Sequence, residues 1–250
     1  MLKDFARALA GAAVLGIAAS LGGCDGANIH FGSDGGVPLS QLDLSGKTAN
    51  EVALLGPDTV TIATGKKLAI TVTGDDAIKD KLRFRLDDGK LSIMRENGLF
   101  SKGGGVATVA ITMPAPRKLS MLGSGSITAD RLAGDKAEIA SMGSGTIDAR
   151  AVEAGKLKVD VLGSGNVTGA GSADRLKLAV MGSGKTDLSR LKAGSAKIDV
   201  MGSGDAGFAS DGEVEAKIMG SGTVRVTGRA KCTVKAMGSG KLVCESADTP

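Results

Sequence analysis

Apolar and polar residues alternate along most of the chain with a period of two. Leu157, Val159 and Val161 are separated by single polar residues, and Ile127 and Ala129 follow the same pattern. Successive side chains of a β-strand point to opposite faces of a sheet, so a period of two indicates strands and not helices. The alternating segments are short and are divided by Gly-rich turns. We therefore expect an all-β protein.

The tripeptide Gly-Ser-Gly interrupts this alternation at regular intervals, each time directly after Met or Leu. Its first glycine returns in steps of 20, 20, 19, 20, 18 and 18 residues, at Gly123, Gly143, Gly163, Gly182, Gly202, Gly220 and Gly238. A period near 20 indicates a solenoid, whose short-stranded units bury their apolar face only by stacking. We predict a single-stranded parallel β-helix with about 18–20 residues per coil and Gly-Ser-Gly turns at its corners.

The serines of these tripeptides form a column that we interpret as structural. They are Ser124, Ser144, Ser164, Ser183, Ser203, Ser221 and Ser239. A nucleophilic serine needs an activating base, and the only histidine, His30, lies outside the repeats. Glycine tolerates positive φ and has no Cβ, which suits a sharp corner where neighbouring backbones approach closely. We predict no catalytic residue in this column.

The residues directly before the tripeptides form a second column, consisting of Leu122, Met142, Leu162, Met181, Met201, Met219 and Met237. One interpretation is that the bend begins at this residue and turns its side chain into the core, where Met and Leu fill the corner. The other is an exposed apolar stripe that serves as a partner surface or a self-association seam. Strict alternation after Val161, Val180 or Val200 would point these side chains outward, but we favour the interpretation that they fill the corner.

A third column lies five residues before each first glycine and is mostly charged. Its members are Lys118, Glu138, Lys158, Lys177, Lys197, Glu215 and Thr233. Lys158, Lys177 and Lys197 follow one another in consecutive coils, and Asp160 and Asp199 are placed to neutralise two of them. We interpret the column as a solvated face that protects the sheet. The alternative is a patch for an anionic glycan or a lipid headgroup.

Composition argues against several classes of function. The chain has no Trp or Tyr, only five Phe and a net charge of +4. Without a basic run or an aromatic platform, a nucleic-acid partner is not expected. Two late cysteines without a nearby histidine do not form a zinc set. We therefore predict neither a metal nor a cofactor.

The N-terminus has the features of an export signal. Lys3 and Arg7 precede an apolar or small stretch over residues 8–21, and Leu-Gly-Gly-Cys follows at residues 21–24. This motif resembles a bacterial lipobox, in which Cys24 is lipidated and becomes the mature N-terminus; ordinary cleavage near Ala18 is the alternative. We expect a lipoprotein signal peptide over residues 1–23, a flexible tether over 24–42 and a β-helix domain over 43–250.

The cysteine count agrees with lipidation. Three cysteines are an odd number for an exported protein, so lipid on Cys24 leaves Cys232 and Cys244 as a pair. Both positions point inward by the alternation that places Val234, Ala236 and Leu242 in the core. They form a disulfide, or they stay as buried thiols if the strands hold their Cα atoms more than roughly 7 Å apart.

Residues 43–118 contain less regular strands, which we interpret as the first coils of the solenoid and as its N-terminal cap, with a helical turn near Ala77. The Gly-Ser-Gly coils follow over 119–245. The order DTVTIATGKKLAITVTGDDAIKDKLRFRLDDGKLSIM, VAITMP and LSMLGSGSI resembles the autotransporter adhesin head GIN domain family of exported bacterial β-helix proteins. The resemblance covers about residues 42–245. It implies a β-helical fold and an envelope location and carries no catalytic residues.

Two classes of function remain. The first is a non-catalytic envelope module for adhesion, binding or scaffolding, located in the periplasm or on the outer surface of a Gram-negative bacterium and held to a membrane through its lipid anchor. Its partner is an envelope or surface protein or a glycan, recognised by the Met column if that is exposed and by the Lys column if it is not. The second class is a polysaccharide-acting β-helix enzyme, which needs an acid/base pair that the sequence does not supply.

Overall fold

Parallel strands stacked coil upon coil build the described part of the protein. The computed structural model describes residues 35–96 and 105–245, and those from Gly36 onward belong to one compact unit. The expected signal peptide, the lipidation site Cys24, His30 and most of the tether lie outside the described residues. Within them no helix is long and apolar enough to cross a membrane.

The predicted fold class is confirmed, since the chain forms a parallel β-solenoid of about six turns. The longest strands run from one Gly-Ser-Gly corner to the next, so each of them contains more than one side of a coil. The strands of the repeat coils are β7 (Lys118–Gly123), β8 (Ser126–Ala129), β9 (Leu132–Gly143), β10 (Thr146–Gly163), β11 (Asn166–Gly182), β12 (Lys185–Gly202), β13 (Asp205–Ser210), β14 (Glu213–Gly220), β15 (Thr223–Thr227), β16 (Lys231–Gly238) and β17 (Lys241–Glu245).

Equivalent residues of successive coils pair in register. Leu162 pairs with Met181, and Met181 pairs with Met201. The same register aligns the first glycine of each corner with its counterparts in the coils above and below. The positions before and at the corner therefore form columns parallel to the solenoid axis, with about 4.8 Å between neighbours. The register shifts only after the corner, for example between Ala149 and Val152.

The N-terminal strands do not stack in the order of the sequence. They are β1 (Glu51–Leu55), β2 (Thr59–Thr64), β3 (Ala69–Thr73), β4 (Leu82–Asp87), β5 (Lys90–Arg95) and β6 (Thr108–Met113). Strand β1 lies between β5 and β7, and β2 lies between β6 and β8, all in parallel. The earlier strand pair is thus inserted between the later pair and the repeat coils.

Antiparallel strands cover the N-terminal edge of the stack. Strand β3 pairs antiparallel with β6, and β4 pairs antiparallel with β5. A short helix, α1 (Asp76–Lys79), connects β3 and β4 and buries Ile78, and a 3-10 turn (Leu39–Gln41) precedes the sheet. Val37 forms an antiparallel bridge with Phe84 at this edge. These elements occupy backbone groups that an open edge would expose.

The core is a continuous aliphatic column inside the coils. Leu157, Val159 and Val161 are fully buried, and the polar residues between them point outward. Two of the five phenylalanines, Phe84 and Phe208, are among the largest fully buried side chains. The alternation therefore predicted the inward face of the repeat coils correctly.

The C-terminal end of the stack is open within the described residues. Strand β16 pairs with β14, and β17 pairs with β15, with no described strand on their other sides. Val234 is 45% exposed and Met237 is 72% exposed. The expectation that Val234 and Ala236 lie in the core is wrong, because no described coil covers their side of the last turn. Here the structure joins Cys232 to Cys244 by a disulfide, with their Cα atoms 6.7 Å apart.

Candidate functional site

The Gly-Ser-Gly corners are a structural device. Their first glycines have φ between 105° and 130°, and a Cβ on Gly163 would lie 2.6 Å from the carbonyl oxygen of Gly143 in the preceding coil. The backbone N–H of Ser164 donates to that same oxygen at 2.9 Å. The ladder of hydrogen bonds thus continues through the bend, and only glycine fits at this position.

The second glycine points into the core and is buried at every corner except the last, where Gly240 is half-buried. A Cβ on Gly184 would lie 2.6 Å from Cγ1 of Val161 and 2.8 Å from the carbonyl oxygen of Gly165. The serines between the glycines are exposed, and no described residue forms a hydrogen bond with their hydroxyl groups. Among the described residues, backbone hydrogen bonds and not serine hydroxyls therefore connect one corner to the next.

A buried ion pair replaces the second glycine in the first coil. The register of β1 with β7 and of β2 with β8 places Asp58 beneath Gly125. Asp58 is fully buried and Arg95 is 3% exposed. The Arg95 guanidinium donates to both carboxylate oxygens of Asp58, at 3.0 and 2.7 Å.

Backbone groups complete this pair. The N–H of Ala107 donates to Asp58 Oδ1 at 2.9 Å, and Arg95 Nη2 donates to the carbonyl of Gly105 at 2.8 Å. The hydrogen bonds to Asp58 raise the pKa of Arg95 above its ordinary value. Every charge is compensated and none faces solvent, so we assign the pair a structural role in the N-terminal cap. The pair was not predicted, although Leu-Gly-Pro-Asp at residues 55–58 repeats the corner pattern with Asp in place of glycine.

The Met/Leu column lies outside the core. Its side chains are half-buried from Leu122 to Met201, whereas Met219 is 44% and Met237 is 72% exposed. The interpretation that the bend turns these side chains inward is wrong. The alternation continues to the first glycine, and the second glycine occupies the inward position at the corner. The result is an apolar stripe along the outside of the corner.

The charged column also points outward. Lys158, Lys177 and Lys197 pair in register in successive coils. Lys158 forms an ion pair with Asp160, and Lys197 Nζ lies 3.3 Å from a carboxylate oxygen of Glu215. Asp199, which we expected beside Lys197, forms no ion pair among the described residues. Lys177 is exposed and has no carboxylate within ion-pair distance in that part of the chain.

A groove of about 730 Å³ runs across the coils at this column. Its floor contains Leu176, Ala196 and Val214, and Ser195 and Thr233 supply hydroxyl groups at its walls. Its charged lining consists of Lys156, Arg175, Lys177, Lys197, Lys231, Glu213 and Glu215. The spacing from Gly-Ser-Gly predicts Lys177 and Lys197 as column residues but does not predict Lys156, Arg175 and Lys231. These three belong to a neighbouring column that Ser195 and Glu213 interrupt, so no run of like charge marks it.

The described acidic groups are not clustered for metal binding. Among residues 35–96 and 105–245, no cluster of three or more His, Cys, Asp or Glu is placed to hold a metal ion. Hydrogen bonds from the side chain and backbone of Ser189 lower the pKa of Asp187, and those from Lys192 and the Arg229 backbone lower the pKa of Asp211. A general acid needs a shift in the opposite direction.

Solved structures of bacterial proteins share this fold. "A putative adhesin" from Bacteroides fragilis NCTC 9343 superposes with a TM-score of 0.72 at 22% identity. A "Putative lipid binding protein" from Parabacteroides distasonis ATCC 8503 gives 0.63 at 21% identity, and "a putative adhesin" from Parabacteroides merdae ATCC 43184 gives 0.57 at 16%. Each match covers 80% of this chain and 93% of the other. At such identities the likeness shows the fold alone.

A family profile matches a larger part of the sequence than any single motif. No curated protein matches the chain. The profile covers residues 49–230, which extend from just before β1 to just before β16 and so include the buried ion pair and six of the seven Gly-Ser-Gly corners. The resemblance noted in the sequence is confirmed, and the chain belongs to the family described as "Putative auto-transporter adhesin, head GIN domain".

Proposed function

We propose that this protein is a non-catalytic binding module of the cell envelope, which presents a rigid, repetitive surface to an envelope or surface protein or glycan. The observation that carries the proposal is the outward alignment of Leu162, Met181 and Met201, and of Lys158, Lys177 and Lys197, at one strand spacing per coil. A ladder of this kind matches an extended or repetitive partner. Membership of a family described as adhesins supports an adhesion-like role.

The rigid core and the side chains of the columns are consistent with binding without catalytic turnover. The columns are fixed by paired backbones over an aliphatic interior, so the surface is preorganised and loses little entropy when a partner binds. The side chains along the columns are lysines, methionines and isolated acids, and not a paired acid and base around a cleft.

The first test is binding by the mature domain. We expect the purified protein, immobilised, to retain a specific protein or glycan from envelope and surface fractions, with a heat-unfolded sample as control. Depolymerisation of any envelope or surface glycan by the pure protein, abolished by a single side-chain change, would overturn the non-catalytic role.

Membrane attachment through Cys24 is part of the same proposal. Leu-Gly-Gly-Cys at residues 21–24 supports lipidation, and residues 24–42 then act as a tether for the β-helix domain over 43–250. We expect metabolic labelling with palmitate to mark the wild-type protein and not the Cys24→Ser variant. Label that persists in this variant would contradict the assignment.

The Met column is the candidate surface for self-association. Because Met181 and Met201 lie outside the core, we expect Met181→Lys with Met201→Lys to leave the thermal midpoint unchanged and to abolish any concentration-dependent association in sedimentation. Lys185→Met in the same strand is the matched control. Equal association of wild type and the double variant would exclude this seam.

A further inference from the structure

The groove over β10, β11, β12, β14 and β16 has an excess of positive charge. Five cationic and two acidic side chains line it. All five cations are exposed: Lys156, Arg175, Lys177, Lys197 and Lys231. In the described part of the chain, only Lys197 has a carboxylate partner within ion-pair distance, so four of the five lack a counter-charge from the protein.

The cations follow the solenoid axis. Lys156 and Lys231 belong to the first and fifth of five successive coils, which places them four strand spacings, or about 19 Å, apart. Arg175, Lys177 and Lys197 lie between them, in the second and third coils. A linear ligand with repeated negative charges would contact several of these side chains at once, which a small monovalent anion does not.

From this geometry we infer that the groove binds a linear acidic polysaccharide, whose carboxylates contact Arg175, Lys177 and the flanking lysines. The inference rests on the proposed binding function and specifies its ligand class. Ser195 and Thr233 add hydroxyl groups at the walls, which suit sugar hydroxyls.

Other polyanions fit the groove less well. An extended peptide commonly binds by adding a strand to an open sheet edge, but β11 and β12, which carry Arg175, Lys177 and Lys197, are paired on both sides. The open edge of β16 lies at one end of the groove, away from these three side chains. The lining has no aromatic side chain on which a nucleic-acid base stacks. The cations surround a concave depression, which admits a single polymer chain more readily than the surface of a bilayer.

The test compares two variants that each remove one lysine and one arginine. Arg175→Gln with Lys177→Gln changes the groove, whereas Lys185→Gln with Arg190→Gln changes exposed residues of β12 outside the groove lining. The probe is a fluorescent galacturonate oligosaccharide, and its fully methyl-esterified form is the neutral control. We expect roughly tenfold weaker binding for the groove variant and less than about a twofold change for the other. Added salt lowers the affinity further.

Several results would overturn the inference. These are equal losses in both double variants, equal binding of the esterified probe, or groove-dependent binding of phosphatidylglycerol vesicles without binding of the oligosaccharide. Thermal unfolding checks that each variant is folded, and Lys156→Gln with Lys231→Gln, at the two ends of the groove, repeats the comparison independently. If the galacturonate fails to bind while the wild type still retains a partner from envelope fractions, the ligand class is wrong and the binding function stands. Failure of both experiments rejects both.

Discussion

At the residue scale, the second glycine of each corner determines how closely two coils approach. Alternation assigns a large apolar residue to the inward position, but a residue without a side chain occupies it. A side chain of the preceding coil fills the space. Cγ1 of Val161 packs beneath Gly184, and Cγ1 of Val180 packs beneath Gly204. These two corners are thus closed by a valine of one coil and the second glycine of the next coil.

Gly184→Ala is expected to destabilise the protein by about 2 kcal/mol or more, because its Cβ would collide with Val161 and with the Gly165 carbonyl, neither of which is free to move. Urea unfolding measures the effect. Ser183→Ala, which alters the exposed neighbour, is the control and should change the free energy of unfolding by less than about 0.5 kcal/mol. Equal stability of the two variants would show that the corner is looser than the structure indicates.

Thr186→Val is expected to stabilise the fold by about 1 kcal/mol. The Thr186 hydroxyl is buried without a hydrogen-bond partner among the described residues, so replacing it with a methyl group of similar shape removes a desolvation penalty. Thr168→Val is the control, since its hydroxyl donates to Asp148 at 2.7 Å and its loss brings no such gain. Thermal unfolding of both variants separates the outcomes, and a destabilised Thr186→Val would contradict the argument.

Alternation predicted most side-chain directions at this scale. The inward orientation considered for the Met/Leu column was wrong because it departed from alternation. Val159 and Val161 are buried as expected, and strict alternation places Leu162 outside, where the structure has it. The inward orientation considered for the Met/Leu column assumed that the bend begins one residue too early. The backbone first leaves the strand conformation at the glycine, whose φ is positive.

At the scale of elements, the N-terminal cap depends on the Asp58–Arg95 pair. Asp58→Ala is expected to cost about 3 to 5 kcal/mol, because it leaves the Arg95 guanidinium buried without its counter-charge. Glu96→Gln, which weakens the partly exposed pair of Glu96 with Arg83, should cost less than about 1 kcal/mol. Chemical denaturation gives both values.

A rescue variant separates charge from shape in the cap. Asp58→Gly with Arg95→Met removes both charges and restores the glycine of the other corners, so we expect it to recover most of the stability lost in Asp58→Ala. A double variant no more stable than Asp58→Ala would show that the hydrogen bonds to Ala107 and Gly105 carry the effect instead.

The order of the N-terminal strands was not predictable from the sequence pattern. Alternation identifies β1 to β6 as strands, but it does not indicate which strand each of them pairs with. The repeat coils have a fixed period that makes each coil the neighbour of the next, whereas β1 pairs with β5 and β7 across segments of unequal length. The antiparallel strands β3 and β4 lack any sequence mark that distinguishes them from coil strands.

The disulfide is expected to stabilise the last coil. It closes a short loop, with a sequence separation of 12, and should contribute about 3 kcal/mol through loop-closure entropy. Cys232→Ser with Cys244→Ser tests this by thermal unfolding. A thiol assay under denaturing, non-reducing conditions should find neither Cys232 nor Cys244 reactive in protein purified from an oxidising compartment. Two reactive thiols from these residues would contradict the bond.

At the scale of the whole molecule, each coil contacts chiefly the coils above and below it, so one coil is removable without disturbing the others. Deletion of Ser164–Gly182 takes out one complete period of 19 residues and joins Gly163 to Ser183, an identical junction. We expect a folded, shorter solenoid by circular dichroism. Deletion of Ser164–Ala173, which removes a partial coil and breaks the register, should prevent folding. Equal behaviour of the two deletions would argue against independent coils.

The groove shows why the candidate site was only partly predictable. Lys177 and Lys197 belong to a column that the fixed distance to Gly-Ser-Gly reveals directly. Arg175 and Lys231 become part of the same surface only through the register of five coils. A concave surface built from several coils depends on how the coils stack. The period of the sequence alone does not predict such a surface.

The disulfide at the open end also determines how the protein bears tension. The hydrogen bonds of the stack run along its axis, coil to coil, whereas the Cys232–Cys244 bond lies within the last coil. A force applied beyond Cys244 passes through the sulfur atoms and bypasses residues 233–243. The Met237 corner then carries no load. After the bond from the Gly228 N–H to the Glu245 carbonyl at 3.2 Å, the next bonds loaded lie near Lys231, whose N–H donates to Gly212 at 2.9 Å. An oxidised solenoid pulled from this end therefore yields at the start of β16, where it joins the preceding coil, whereas a reduced one begins to peel along β17.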